Sequence, residues 1–125
     1  MRAYFLTNMY LSSIQNGIQS AHCLQEINNQ YSNNDILKEW ADKHKTMYVL
    51  NGGTSTQMYE IYKFFTHESN NLPWHYFHEP SLDNALTCIG IIVPEDIYNR
   101  PDKGWSDLTF EGELSQLLRS KRFAK

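Results

Sequence analysis

Ser13-Ile-Gln-Asn-Gly-Ile-Gln-Ser-Ala-His-Cys-Leu-Gln-Glu-Ile27 reads as an amphipathic helix, and the rest of the chain arranges itself around it. Ile14, Ile18, Ala21, Leu24 and Ile27 recur at helical spacing, so they are expected on one face, against the core. Gly17 falls on the same side and is expected to let the helix approach a sheet closely. Ser12 or Ser13 can cap the start by accepting a hydrogen bond from a free backbone N–H. Gln15, Gln19, His22 and Glu26 stand at i, i+4, i+7 and i+11, which makes one polar ridge along the helix.

Before this helix, Arg2-Ala-Tyr-Phe-Leu-Thr7 is short, apolar and aromatic, as a buried strand is. After it, Tyr31-Ser-Asn-Asn34 breaks the pattern. Ser32 with Asp35 resembles a capping box, and Ile36, Leu37, Trp40, Ala41 and His44 mark a short amphipathic helix. Thr46-Met-Tyr-Val-Leu50 is a second strand, which Asn51-Gly-Gly53 is expected to end. Thr54 and Gln57 form another capping box, ahead of a stripe of Met58, Ile61, Tyr62 and Phe65. Trp74 to His78 and Ala85-Leu-Thr-Cys-Ile-Gly-Ile-Ile-Val93 are the third and fourth strands, each stopped by a proline, Pro80 and Pro94. Beyond Tyr98 the composition turns polar, and Leu108, Leu114, Leu117 and Leu118 suggest a last helix.

Strands interleaved with helices predict an α/β fold: three layers, α/β/α, around a mixed four-stranded sheet. The third and fourth strands are close enough in sequence to pair antiparallel. The 125 residues fit one domain, read as an α/β unit over 1–98 with a loop and helical extension of the same domain over 99–125.

Composition narrows the function classes. Hydrophobic residues at 41% and charged residues at 20% are ordinary for a globular chain. The net charge of −3 excludes a basic surface overall, so any RNA contact needs a local patch. Arg119, Lys121, Arg122 and Lys125 supply one, although a frayed, solvated terminus explains them more simply. Cys23 and Cys88 lie in apolar runs and read as two buried thiols, which points to a reducing, cytoplasmic setting. The apolar start Ala3 to Leu6 is too short for a signal peptide, and no run reaches transmembrane length, so no membrane partner is expected.

Two weak motifs can be set aside. His75, His78 and Glu79 invite a metal, but a spacing of three puts the two histidines on opposite faces of a strand. Neither a metal nor a cofactor is expected. Asn51-Gly-Gly-Thr54 precedes a helix, yet it lacks the lysine of a phosphate loop and the glycine spacing of a dinucleotide fold. A helix cap accounts for it.

The element order, with Gly17-Ile-Gln-Ser-Ala-His-Cys23, Leu37-Lys-Glu-Trp40 and Leu86-Thr-Cys-Ile-Gly-Ile91, resembles the type II peptidyl-tRNA hydrolases over about residues 2 to 98. In that family the first helix carries a lysine, then Gln, two small residues and His. Gln19, Ser20, Ala21 and His22 match the latter part. The resemblance implies a catalytic set of His22, Glu79 and Thr87, with Gln15, Gln19 and Asp83 around the substrate. It also shows departures. Gln15 stands where the family has its lysine, Glu79 where it has an aspartate, and Asp83 where it has a threonine. Pro80 and Ser81 replace a glycine-bearing turn.

Cleaving the ester of peptidyl-tRNA needs an activated water and donors for the developing oxyanion. The resemblance implies His22 as base, Glu79 as its orienting carboxylate, and Gln15, Gln19 and Thr87 as donors. Taken alone, His22 is a surface histidine paired with Glu26 one turn on. Two functions follow as expectations: a divergent peptidyl-tRNA hydrolase, or a non-catalytic or inhibitory protein using the fold to bind a protein, an RNA end or a small phosphorylated ligand. The candidate partners are tRNA, a protein and a second copy of the chain.

Overall fold

The computed structural model describes all 125 residues. Four strands, β1 (Arg2–Asn8), β2 (Met47–Gly53), β3 (Trp74–Glu79) and β4 (Ala85–Val93), form one sheet in the order β2-β1-β4-β3. β1 and β2 run parallel, and β4 is antiparallel to both β1 and β3. The helices are α1 (Ser13–Gln30), α2 (Asp35–Glu39), α3 (Ser55–Phe65), α4 (Glu95–Tyr98) and α5 (Phe110–Ser120). A parallel neighbour needs a crossover, and α1 with α2 provides it between β1 and β2. The two antiparallel pairs make the sheet mixed, as the strand spacing predicts.

Alternation along the strands builds two cores. Ala3 and Phe5 join Cys23, Ile27, Leu37, Trp40, Cys88 and Ile92 beneath α1 and α2. Tyr4 and Leu6 join Leu50, Met58, Ile61, Phe65, Ile89 and Ile91 beneath α3, with Leu114 and Leu118 of α5. Two cores on opposite faces of one sheet are the three layers expected. Because α5 closes the second core, residues 99–125 complete the packing and do not merely trail from it. No helix is long and apolar enough to cross a membrane.

α1 corrects the expected facing. Its buried residues are Asn16, Gln19, Ser20, Cys23 and Ile27, while Ile14 is 76% exposed and Ile18 43%. The first part of the expected stripe, Ile14, Ile18 and Ala21, faces solvent, whereas Ile27 is buried and Leu24 packs on the core; Asn16, Gln19, Ser20 and Cys23 are what face the sheet over the first turns. Gly17 has open space around it, so it permits no close approach. That task falls to Gly90 in β4: a Cβ there would lie 2.8 Å from Phe5 Cδ1 and 3.0 Å from Cys23 Sγ. Small residues on α1 and a glycine on the strand beneath it let the helix seat closely on the sheet. Cys23 and Cys88 are buried free thiols.

Caps differ in detail. Ser12 caps α1 by accepting from Gln15 N. Asn34, not Ser32, caps α2. Thr54 and Gln57 form the reciprocal capping box on α3. Asn51-Gly-Gly53 forms the last three residues of β2, which ends at Gly53 with φ +97°. Leu108 lies outside α5 and is exposed. The terminal residues are also not a frayed end. Asn51 N donates to Arg122 O at 2.7 Å and Ala124 N to Val49 O at 2.9 Å, so the tail pairs with the edge of β2. That covers backbone groups an edge strand would otherwise leave open.

Candidate functional site

The ridge of α1 meets the end of β3 over the sheet. The odd residues of β3 reach toward α1: His22 stacks on Phe77, and Gln19 bonds Glu79. The even ones reach toward α3, where Tyr62 packs edge-on against Trp74 and Tyr76. Thr87 on β4 points to the α1 side beneath Gln19.

Gln19 is the centre of the arrangement and is fully buried. Its Nε2 donates to Glu79 Oε1 at 3.0 Å and to Gln15 Oε1 at 3.1 Å. Its Oε1 accepts from Thr87 Oγ1 at 2.7 Å. The amide orientation follows from chemistry. An ionised carboxylate only accepts, so the nitrogen must face Glu79, which leaves the carbonyl oxygen for the hydroxyl. Thr87 Oγ1 also lies 3.3 Å from Phe77 O, a second acceptor within reach. Every polar atom of Gln19 that burial would penalise therefore has a partner.

Glu79 is fixed at both oxygens. Oε1 accepts from Gln19, and Oε2 accepts from Ser81 N at 3.2 Å, capping the short turn Pro80–Leu82. The Gln19 amide above all, then the Ser81 N–H, hold its carboxyl below the ordinary value of 4.5, with a smaller contribution from the nearby His22 ring. Partial desolvation acts against these and does not win.

His22 is placed differently from what the resemblance implies. Its ring lies flat on Phe77, with centroids 4.6 Å apart and planes 13° apart, and it is exposed. It makes no side-chain hydrogen bond, either to Glu79 or to Glu26 on its own helix; Glu79 gives its bonds to Gln19 and Ser81 instead. A base oriented by a carboxylate requires that bond, so the expected His22–Glu79 pair is not formed.

Gln15, Gln19, Glu79 and Thr87 are thus joined in one hydrogen-bonded chain, with His22 beside it on Phe77. Asp83 does not join them. It is exposed, with φ +53° in the turn between β3 and β4, and its side chain makes no hydrogen bond. His75 and His78 bond separate backbone carbonyls, Tyr76 O and Asn84 O. No three His, Cys, Asp or Glu side chains converge as a metal site requires.

Two participants escape a reading of the sequence. Phe77 supports the His22 ring, and Asn16, buried one turn before Ser20, lies at the ends of β1 and β2. Asn16 Nδ2 reaches Lys125 O at 3.5 Å, while its Oδ1 is buried with no protein partner. The signal for Asn16 was available: Asn16, Ser20, Cys23 and Ile27 form a helical stripe of their own.

No family model matches this chain, and no curated protein matches its sequence significantly.

Proposed function

We propose that this chain is a divergent protein on the type II peptidyl-tRNA hydrolase scaffold that acts by binding a partner, without efficient ester hydrolysis. One observation carries the proposal: Glu79 is committed to Gln19 and Ser81, and the ridge position beside it, where the resemblance implies a lysine, holds the neutral amide of Gln15. A developing oxyanion needs free donors aimed at it. Here both N–H groups of Gln19 are used within the protein, and neither lysine nor arginine stands on the ridge. Loss of one oxyanion donor alone lowers rate about 10² to 10³-fold. Absence of the cation compounds that loss.

The exposed faces support binding. Ile14 and Ile18 turn outward one position away from the ridge, and Tyr10, just before α1, is 74% exposed. Exposed apolar groups on and just before α1 suit a protein partner that offers an apolar contact. A second reading, slow hydrolysis, is favoured by the convergence of Gln19, Glu79 and Thr87 next to His22. Release of peptide from a peptidyl-tRNA analogue, measured for wild type, Gln15→Lys and His22→Ala, separates the two. Inert wild type with activity gained in Gln15→Lys supports binding on a decayed hydrolytic site. A wild-type rate that His22→Ala abolishes supports the second reading.

A further inference from the structure

The opposite face of the sheet holds a second candidate site. Between α5, the tail and the edge strand β2 lies a cavity of about 300 Å³, walled by Tyr4, Tyr48 and Tyr98. Tyr4 belongs to the core beneath α3 and α5, so this cavity is separated from the Gln19 ridge by the sheet itself.

Its chemistry is one-sided. Arg2, Arg119, Lys121 and Arg122 line it, and no carboxylate does, in a chain whose net charge is −3. Arg119 is already engaged by Asp102 at 3.7 Å and by the carbonyls of Tyr98 and Arg100. Arg2, Lys121 and Arg122 form no ion pair. Like charges gathered around one cavity repel, and a bound anion relieves that repulsion.

Arg2 is also prepared in geometry. Its guanidinium lies 4.0 Å from the Tyr98 ring centroid and 4.9 Å from that of Tyr48. Both rings lie within cation–π distance of the charge. Only one of its N–H donors is used, toward Tyr4 Oη at 3.2 Å. A planar fork with free edges matches two oxygens of a phosphate. At the mouth, Phe123 is 69% exposed on a backbone pinned to β2 by the Arg122 and Ala124 bonds. It presents an aromatic surface that a planar base can stack on.

We propose that this cavity binds a nucleoside phosphate, its phosphate held by Arg2, Lys121 and Arg122 and its base laid against Phe123. The volume stands at the lower end for small-molecule sites, which suits a single nucleotide and not a strand. This site is independent of the function proposed for the α1 ridge.

The test is a ¹H–¹⁵N NMR and calorimetric titration with adenosine diphosphate, beside inorganic phosphate, adenosine, ribose 5-phosphate and a short single-stranded RNA. Saturable binding of the diphosphate is expected, with shifts at Arg2, Tyr48, Tyr98 and residues 121 to 123, and none at Gln19 or Thr87. Adenosine and ribose 5-phosphate should each bind about tenfold or more weakly than the diphosphate, since each lacks one half of the recognition. Arg122→Ala, an exposed change, should weaken binding by about tenfold, as should Arg2→Gln. If Arg2→Gln unfolds the protein, Arg122→Ala and Lys121→Ala decide. Absence of saturation at millimolar diphosphate overturns the proposal. So does equal binding of inorganic phosphate, which would mean an anion site with no base recognition. RNA bound more tightly than the diphosphate, with a steep salt dependence, would also overturn it in favour of a strand-tracking surface.

Discussion

Thr87→Val removes one hydroxyl and nearly nothing else. Thr87 is 1% exposed and Gln19 not exposed at all, and the hydroxyl is the only donor to Gln19 Oε1. The amide cannot rotate to compensate, because its nitrogen faces the Glu79 carboxylate. The variant therefore leaves a buried carbonyl oxygen bare. An orphaned buried acceptor costs about 1–3 kcal/mol. For a domain of this size that lowers the melting temperature by roughly 3–10 °C. The assay is urea unfolding followed by circular dichroism, with the midpoint falling and the slope unchanged. Gln19→Leu and the double variant complete a cycle. Gln19→Leu also severs the Glu79 bond, but that loss is common to both Gln19 arms and cancels. Removing both partners should cost less than the two single losses together, with a coupling of about 0.5–3 kcal/mol. A neutral Thr87→Val, or a strictly additive cycle, would refute the closed network around Gln19.

Two further outcomes bear on the same packing. Glu79 has a folded pKa below its ordinary value of 4.5, so the stabilisation it brings is present above that pH and is lost as pH falls through the depressed value. Gln19→Leu removes the largest cause and should move the carboxyl titration, followed by ¹³C NMR, back toward 4.5; an unmoved titration would show that Gln19 is not the cause. Gly90→Ala places a methyl within 2.8 Å of the buried Phe5 ring, and should destabilise by about 1–3 kcal/mol through overpacking under α1. A melting temperature equal to wild type would show that α1 sits less closely on β4 than described.

Particular elements show what the sequence makes legible. β4 spans Ala85–Val93, the same residues its apolar run marks, because a central strand buried on both faces is nearly all apolar, Thr87 being its one polar residue, and Asn84 and Pro94 bound it. The capping box at Thr54 and Gln57 is equally readable, since both bonds are local. α1 is readable as a helix but not in its facing. Two stripes coexist along it, and hydrophobicity alone selects Ile14 and Ile18, which face solvent. The stripe that packs follows the sheet beneath it: Cys23 fits above Gly90, where a Cβ would lie 3.0 Å from its Sγ. Gln19 is buried because Glu79 and Thr87, at sequence separations of 60 and 68, satisfy it. Glutamine is seldom buried without such partners, and partners so distant leave no local mark. The same holds for the tail, whose pairing depends on where β2 ends up.

The candidate site divides along similar lines. Gln15, Gln19, Glu79 and Thr87 meet, joining three elements, α1, β3 and β4. The partnering inside the site was not visible. Glu79 bonds Gln19 and Ser81, partners set by the three-dimensional packing of α1 on β3 and not by local sequence. Phe77 then takes His22 as a stacking partner, and the histidine turns outward.

The most direct measurement is the rate of peptide release from a peptidyl-tRNA analogue by purified wild-type protein, read beside buffer alone. If the protein acts by binding, it is expected to give the buffer rate, with turnover appearing in Gln15→Lys, which places a cation on the α1 ridge that meets Glu79 of β3. Wild-type turnover well above buffer, lost in His22→Ala, would contradict the account.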